Sequence, residues 1–259
     1  MDLDLIINIL ISNWHIILFF FLVAILYSSV GFGGGSSYLA ILALTGIVYT
    51  QIRSTALLCN IVVVIGNVFL FQKHKLYQWN KVLPLIIFSI PFSFLGGYLR
   101  ISQTLFFILL GITLVFASIT MWVSKKKKFD EDNYENLSML KNSSYGGFIG
   151  FISGMVGIGG GIFLAPLLHL TKWDHSKKIA ATASIFILVN SISGLLGQYY
   201  NPNFSIDWNL TTVLLVTVFL GGQIGSRISN QYFSSIKLKK ATAILIAFVG
   251  LRILIKYLF

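Results

Sequence analysis

Val30-Gly31-Phe32-Gly33-Gly34-Gly35 and Val156-Gly157-Ile158-Gly159-Gly160-Gly161 are two near-copies of one hexapeptide, 126 residues apart, with a single conservative difference. Each interrupts a long apolar run, 14 to 49 and 145 to 170, where one membrane helix needs only ~20 residues. Outward from them lie further apolar runs at 54 to 71, 82 to 99, 103 to 123, 179 to 199, 209 to 228 and 241 to 258. These six read as single tilted helices, interrupted by little beyond Pro84, Pro91 and the pairs Gly96-Gly97 and Gly221-Gly222. Ser54-Thr55-Ala56 also corresponds to Ala181-Thr182-Ala183, and Gly96-Gly97 to Gly221-Gly222. The chain therefore carries an internal duplication.

Composition points to the same solvent. Of 259 residues, 56% are hydrophobic and only 10% charged, against about 25% charged in a soluble domain. The expected fold is an all-α polytopic membrane protein with two inverted repeats and Gly-interrupted helices. Its expected parts are a first transmembrane repeat at 1–123, a charged cytoplasmic linker at 124–144 and a second repeat at 145–259. Met1 to His15 holds two Asp and no Lys or Arg, so the first apolar segment reads as retained rather than as a cleaved leader.

Several function classes are disfavoured. Cys59 is the only cysteine and the four histidines have no HxxxH spacing, so no disulfide framework, cofactor or metal set is expected. The net charge of +11 lies in short loops between apolar runs, which is topology control rather than a nucleic-acid surface. The eight carboxylates, Asp2, Asp4, Asp130, Glu131, Asp132, Glu135, Asp174 and Asp207, all fall outside the apolar runs. An enzyme would need an acid, thiol or metal set that the sequence does not present.

Lysine placement suggests orientation. The loops 72 to 81, 124 to 144, 171 to 178 and 229 to 240 are basic, whereas the N-terminus and loop 200 to 208 are not. With basic loops cytoplasmic, the run 54 to 71 and its counterpart 179 to 199 cross in opposite directions. Arg53 and Arg100 fall at nominally external ends and run against this scheme. A parallel arrangement of bent helices is the alternative.

Gly-interrupted segments at matching positions of two repeats point to a transporter site near the bilayer midplane. A helix that restarts after a glycine break presents unpaired N–H groups and partial positive charge, which suits an anion. The candidate substrate-binding residues are Ser28, Ser29, Gly33, Gly34, Gly35, Ser36, Thr55 and Asn60 in copy one. In copy two they are Ser153, Gly159, Gly160, Gly161, Thr182, Ser184 and Asn190. Ser36 and Ser37 could donate hydroxyls or cap the new helix, while Ile162 and Phe163 stand at the matching positions, so asymmetric contacts are expected. For Asn60 and Asn190 the alternative role is a hydrogen bond between helices, and for each Ser or Thr it is a bond to the carbonyl one turn back. The glycines themselves could serve close helix packing. Cys59 reads as a small core residue and His169 as an interfacial one.

VGFGGGSSYLAIL near the start, SGMVGIGGGIFLAPLL after the charged linker and the Thr-Ala-Ser run that follows resemble the sulfite exporter TauE/SafE family of membrane permeases. The resemblance covers nearly the whole chain. It implies transport of small sulfur-containing anions such as sulfite or organosulfonates, usually outward across the bacterial inner membrane. This chain departs from the family pattern at Arg53-Ser54-Thr55, where a small residue and glycine more often precede the threonine. The partners implied are a small anionic substrate, a coupling ion (proton or sodium), membrane lipid and a second copy of the chain in a homodimer. An anion channel and a permease for an unrelated small anion are the alternatives. With no carboxylate in a span, the proton would travel on the substrate, another ion would couple, or transport would run downhill.

Overall fold

A computed structural model describes residues 3–123, 138–228 and 235–258. Most of the linker, with Asp130, Glu131, Asp132 and Glu135, lies outside the described residues, as do the side chains of Lys237, Lys239 and Lys240. The described chain is all helical: α1 (Leu3–Ser12), α2 (Trp14–Ser29), α3 (Gly35–Ala43), α4 (Tyr49–Lys73), α5 (Trp79–Tyr98), α6 (Gln103–Val123), α7 (Met139–Val156), α8 (Gly161–Leu170), α9 (Ser176–Tyr199), α10 (Trp208–Ile228) and α11 (Ser235–Leu258). Helix α1 precedes the first apolar run read from the sequence, which began at 14. Among the described residues, α4, α5, most of α6, α9 and α10 are long and apolar enough to cross a bilayer, while α2 and α8 are shorter apolar helices. Their outward faces carry Phe69, Phe88, Phe92, Phe116 and Phe219, a surface suited to lipid and costly in water.

Both duplicated hexapeptides end one helix and start another. Helix α2 closes with Gly31 at φ 87°, its N–H donating to Ser28 O and the Phe32 N–H to Tyr27 O. Helix α7 closes with Gly157 at φ 85° and the Ile158 N–H donating to Ser153 O. These are left-handed glycine terminations that a residue with a Cβ would strain. Helices α3 and α8 then start from Gly34 (φ 91°, ψ 7°) and Gly160 (φ 84°, ψ −15°), neither with a side-chain cap bond. The matching sequences thus share their left-handed glycines at the helix end and the helix start, and differ between them, where Gly159 has φ 84° and Gly33 is not left-handed.

The two halves interlock. Helix α5 of the first half packs most heavily on α7 of the second, and α10 of the second packs on α2 of the first. Gly146, Gly150 and Gly154 lie one turn apart on α7 and face the backbone of Leu85, Ser89 and Ser93 on α5. Gly221 and Gly225 of α10 face the carbonyls of Phe21 and Ile25 on α2 in the same way. This is small-xxx-small packing. The pairs Gly96-Gly97 and Gly221-Gly222 mark equivalent crossings: Gly96 meets Phe151 on α7 and Gly97 meets Gly194 on α9, while Gly221 meets Phe21 on α2 and Gly222 meets Val63 on α4.

Helices α4 and α9 pack antiparallel at the centre. Ser54 at the start of α4 donates to Gln198 Oε1 near the end of α9 (3.1 Å), and Tyr77 just past the end of α4 pairs with Ser184 near the start of α9 (3.3 Å). Burial raises the Tyr77 phenol pKa, with the Ser184 hydrogen bond acting the other way. The basic loops after α4 and α8 meet at that end, where Asp174 accepts Lys178 (3.4 Å) and Lys81 (3.8 Å). The turns around 99–102 and 200–205 gather at the opposite end: Tyr49 Oη donates to Ile101 O, and Asn201 Nδ2 to Tyr98 O.

Candidate functional site

The two glycine breaks share one cavity of about 70 Å³. Its wall includes Gly33, Gly34, Gly35 and Ser36 from the first break, Ile158, Gly161 and Ile162 from the second, and Asn60 from α4. The first amides of α3 and α8, at Gly35, Ser36, Gly161 and Ile162, have no carbonyl one turn behind them to pair with. Both helix starts therefore present donors and partial positive charge to the same space. Most of the rest of the wall is apolar, with Leu26, Phe32, Ala165 and Ile187 beside Tyr27 and His169, which keeps the local dielectric low and strengthens those dipoles. That volume takes several water-sized groups.

Asn60 stands between the breaks. Its Nδ2 donates to Ile158 O at 2.8 Å, and its Oδ1 is buried without a partner. A Cβ built on Gly33, Gly35 or Gly159 would collide with this amide, and one on Gly35 would also reach Ile158 O at 2.6 Å. The run of glycines is thus what lets two backbones and one amide converge.

Of the residues proposed from the sequence, the cavity gathers Gly33, Gly34, Gly35, Ser36, Asn60 and Gly161. Gly159 and Gly160 lie just behind it: a Cβ on Gly159 would meet Asn60 Nδ2 (2.6 Å) and Ser191 Oγ (2.7 Å), and one on Gly160 would meet Phe186 (2.7 Å) and Ser153 Oγ (3.2 Å). Ser153 Oγ and Thr182 Oγ1 are buried without partners. The others are engaged outside the cavity wall. Ser28 Oγ donates to Gly222 O (2.8 Å), Ser29 Oγ to Leu26 O (2.7 Å) and Ser184 Oγ to Ala181 O (2.7 Å), while Thr55 pairs with Thr211 (2.9 Å). Asn190 takes the interhelical role, its Nδ2 donating to Ser89 Oγ (2.9 Å) and Phe186 O (2.8 Å). Neither Ser36 nor Ser37 caps α3, and Ser37 pairs with Tyr27 instead (3.0 Å).

Two cavity or near-cavity features were not read from the sequence as functional. His169, in the last turn of α8, lies on the cavity wall rather than only at an interface. Arg53, which looked like the end of an apolar run, is 3% exposed and donates through Nη2 to Gly154 O (3.3 Å) and Gly97 O (3.5 Å). Its neighbours come from α5 and α7, so no local pattern around residue 53 could have shown it.

Apolar helices that interlock through glycine stripes, with two helix starts facing one small cavity, define a helical membrane permease. The chain belongs to the sulfite exporter TauE/SafE family, whose description matches residues 16–253. It is similar to a probable membrane transporter protein of Sinorhizobium fredii, 33% identical over 245 residues that cover 91% of this chain and 95% of that one. A probable membrane transporter protein of Methanocaldococcus jannaschii is 26% identical over 254 residues, covering 91% and 92%. One from Bacillus subtilis is 23% identical over 195 residues, covering 68% and 71%. No solved structure matches the chain.

Proposed function

We propose that the chain is a secondary transporter for small sulfur-containing oxyanions, of which sulfite is the type, exporting them across the bacterial inner membrane by alternating access. The observation that carries this reading is that α3 and α8 both start from a bare left-handed glycine on one cavity with Asn60 between them. Four backbone donors suit an oxyanion without requiring a lysine or arginine on the wall. The unpartnered Oδ1 of Asn60 adds one acceptor, which fits the proton of a singly protonated oxyanion. The wall carries no carboxylate among the described residues, so on this reading the proton rides on the substrate; a sodium ion is the other coupling candidate.

The antiparallel packing of α4 and α9, and the matched exchange of α5 onto α7 and α10 onto α2, support inverted repeats. The meeting of the α4–α5 and α8–α9 basic loops at one end supports a cytoplasmic assignment for that end. Rocking of the halves about the glycine breaks would then open the cavity to either side. The test is flux of sulfite into proteoliposomes containing the purified protein. Saturable flux that other sulfur oxyanions compete for supports the reading; flux that stays linear in concentration indicates a channel, and no sulfite flux removes the substrate assignment.

A further inference from the structure

The strongest feature that the glycine cavity does not absorb is the guanidinium of Arg53. A buried arginine is costly unless its charge is met, and among the described residues no carboxylate lies within ion-pair distance of it. Its two bonds, both from Nη2, go to carbonyls in the last turns of α5 and α7 and are long, while Nε is buried with no partner. Two helix C-termini offset part of the charge, yet a guanidinium has five N–H donors. Most of its hydrogen-bonding capacity is unused.

Arg53 opens onto a small recess at the end of the molecule opposite the basic loops. The recess is lined also by Thr50, Ser54, Arg100, Gln198 and Asn201. Gln198 is 3% exposed; its Oε1 accepts from Ser54, and its Nε2 is buried without a partner. Arg100 is exposed on the rim. Two cations and a spare amide donor thus line one recess, and among the described residues no carboxylate lies on its wall. The volume, about 10 Å³, takes one water-sized group, the size of a single oxygen of an oxyanion whose remainder stays in solvent.

Helix geometry links this recess to the cavity. Arg53 and Asn60 are seven residues apart on α4, which places them on one face roughly 10 Å from each other along the axis. Gly157, at the second break, abuts the backbone of Arg53, a Cβ there meeting Arg53 Cβ at 3.2 Å. We propose that the Arg53, Arg100 and Gln198 recess is a second oxyanion site, which holds the transported anion on its route to or from the glycine cavity. This proposal rests on the reading of the protein as an anion permease. Directional, charge-assisted N–H donors suit the oxygen of an oxyanion better than a halide, so sulfite or sulfate should occupy the site in preference to chloride.

Isothermal titration of the purified full-length protein with sulfite tests it, using Arg53→Gln, Arg100→Gln, Arg100→Glu and, for the cavity, Asn60→Leu. The expected result is two binding steps in the wild type. Arg53→Gln should remove one step, and Arg100→Gln should weaken that same step about threefold, as for an exposed charge. Arg100→Glu, whose exposed position tolerates substitution without loss of fold, should remove the step at low salt, and Asn60→Leu should remove only the other step. Two steps unchanged by the arginine substitutions, or one step that responds only to Asn60→Leu, would overturn the proposal and leave the cavity reading standing. One step that responds only to the arginine substitutions would support the recess and overturn the cavity, and the absence of any binding heat would overturn both.

Discussion

The side-chain amide of Asn60 donates to the main-chain carbonyl of Ile158 at 2.8 Å, so a helix of the first repeat is tied to the glycine break of the second. The same amide packs against Gly33 and Gly35 of the first break. One residue therefore senses both breaks. A motion that separates α3 from α8 disrupts the Asn60 contacts to one break or the other, and the unpartnered Oδ1 is free to engage what enters.

Asn60→Leu keeps the heavy-atom count and branching and removes both the Ile158 hydrogen bond and the spare acceptor. Loss of the hydrogen bond costs about 1 kcal/mol, which a helical bundle of this size should survive with normal membrane insertion. Transport should fall at least about tenfold, equivalent to ~1.4 kcal/mol, in a proteoliposome flux assay normalised to inserted protein. Asn190→Leu should show the opposite balance, since Asn190 bonds Ser89 and Phe186 away from the cavity wall: lower stability, with flux per folded molecule retained.

Replacing Gly34 or Gly160 by Val puts a side chain where φ is positive and space is short, with a left-handed cost of roughly 1–2 kcal/mol. Flux should be lost more completely than insertion. Gly46→Ala is the control, because Gly46 also has positive φ (76°) yet nothing lies within 4 Å of its Cβ position. It should lower stability by a similar amount and leave flux per molecule unchanged.

The packing glycines should behave differently from the break glycines. A Cβ on Gly146 would strike the Leu85 backbone, and one on Gly154 the Ser93 backbone, neither of which can rotate away. Gly146→Ala and Gly154→Ala should reduce folded yield and total transport in proportion, as measured by size-exclusion recovery beside flux.

Asp174 and Asp207 should prove dispensable for the transport step. Asp174 holds Lys81 and Lys178 at the end of the molecule where the basic loops meet, and Asp207 accepts the N–H groups of Asn209 (3.0 Å) and Leu210 (3.2 Å) at the start of α10. Asp207→Ala should cost about 1 kcal/mol of stability as a lost cap. Flux per folded molecule should persist in Asp207→Ala and Asp174→Asn, and its abolition in either would assign proton coupling to that carboxylate.

The helix breaks were legible because glycine triplets inside apolar runs leave few other conformations, and the duplication marked them as a pair. The division of labour between the two asparagines was not. Asn60 and Asn190 both stand as a buried amide after a break, and only the approach of the Ile158 carbonyl in one case and the Ser89 hydroxyl in the other separates them. The main small-residue stripe, Gly146, Gly150 and Gly154, is a fainter signal than the denser hexapeptides, although its four-residue spacing is present in the sequence. The burial of Arg53 depends on carbonyls from α5 and α7 more than 40 and 100 residues away. An arginine at the edge of an apolar run reads as an interfacial anchor until those helices are in place.

The most direct test of the central claim is the thermal stability of the purified protein against a series of sulfite, sulfate, thiosulfate, sulfoacetate, taurine and chloride. A ligand of the folded cavity must raise stability with concentration, by about 2.7 kcal/mol at a hundred times its dissociation constant. Stabilisation by a sulfur oxyanion is expected, reduced in Asn60→Leu and Gly160→Val to what the Arg53 recess alone supplies. A cooperative melt indifferent to every one of these anions would contradict it and would leave the glycine breaks as packing devices.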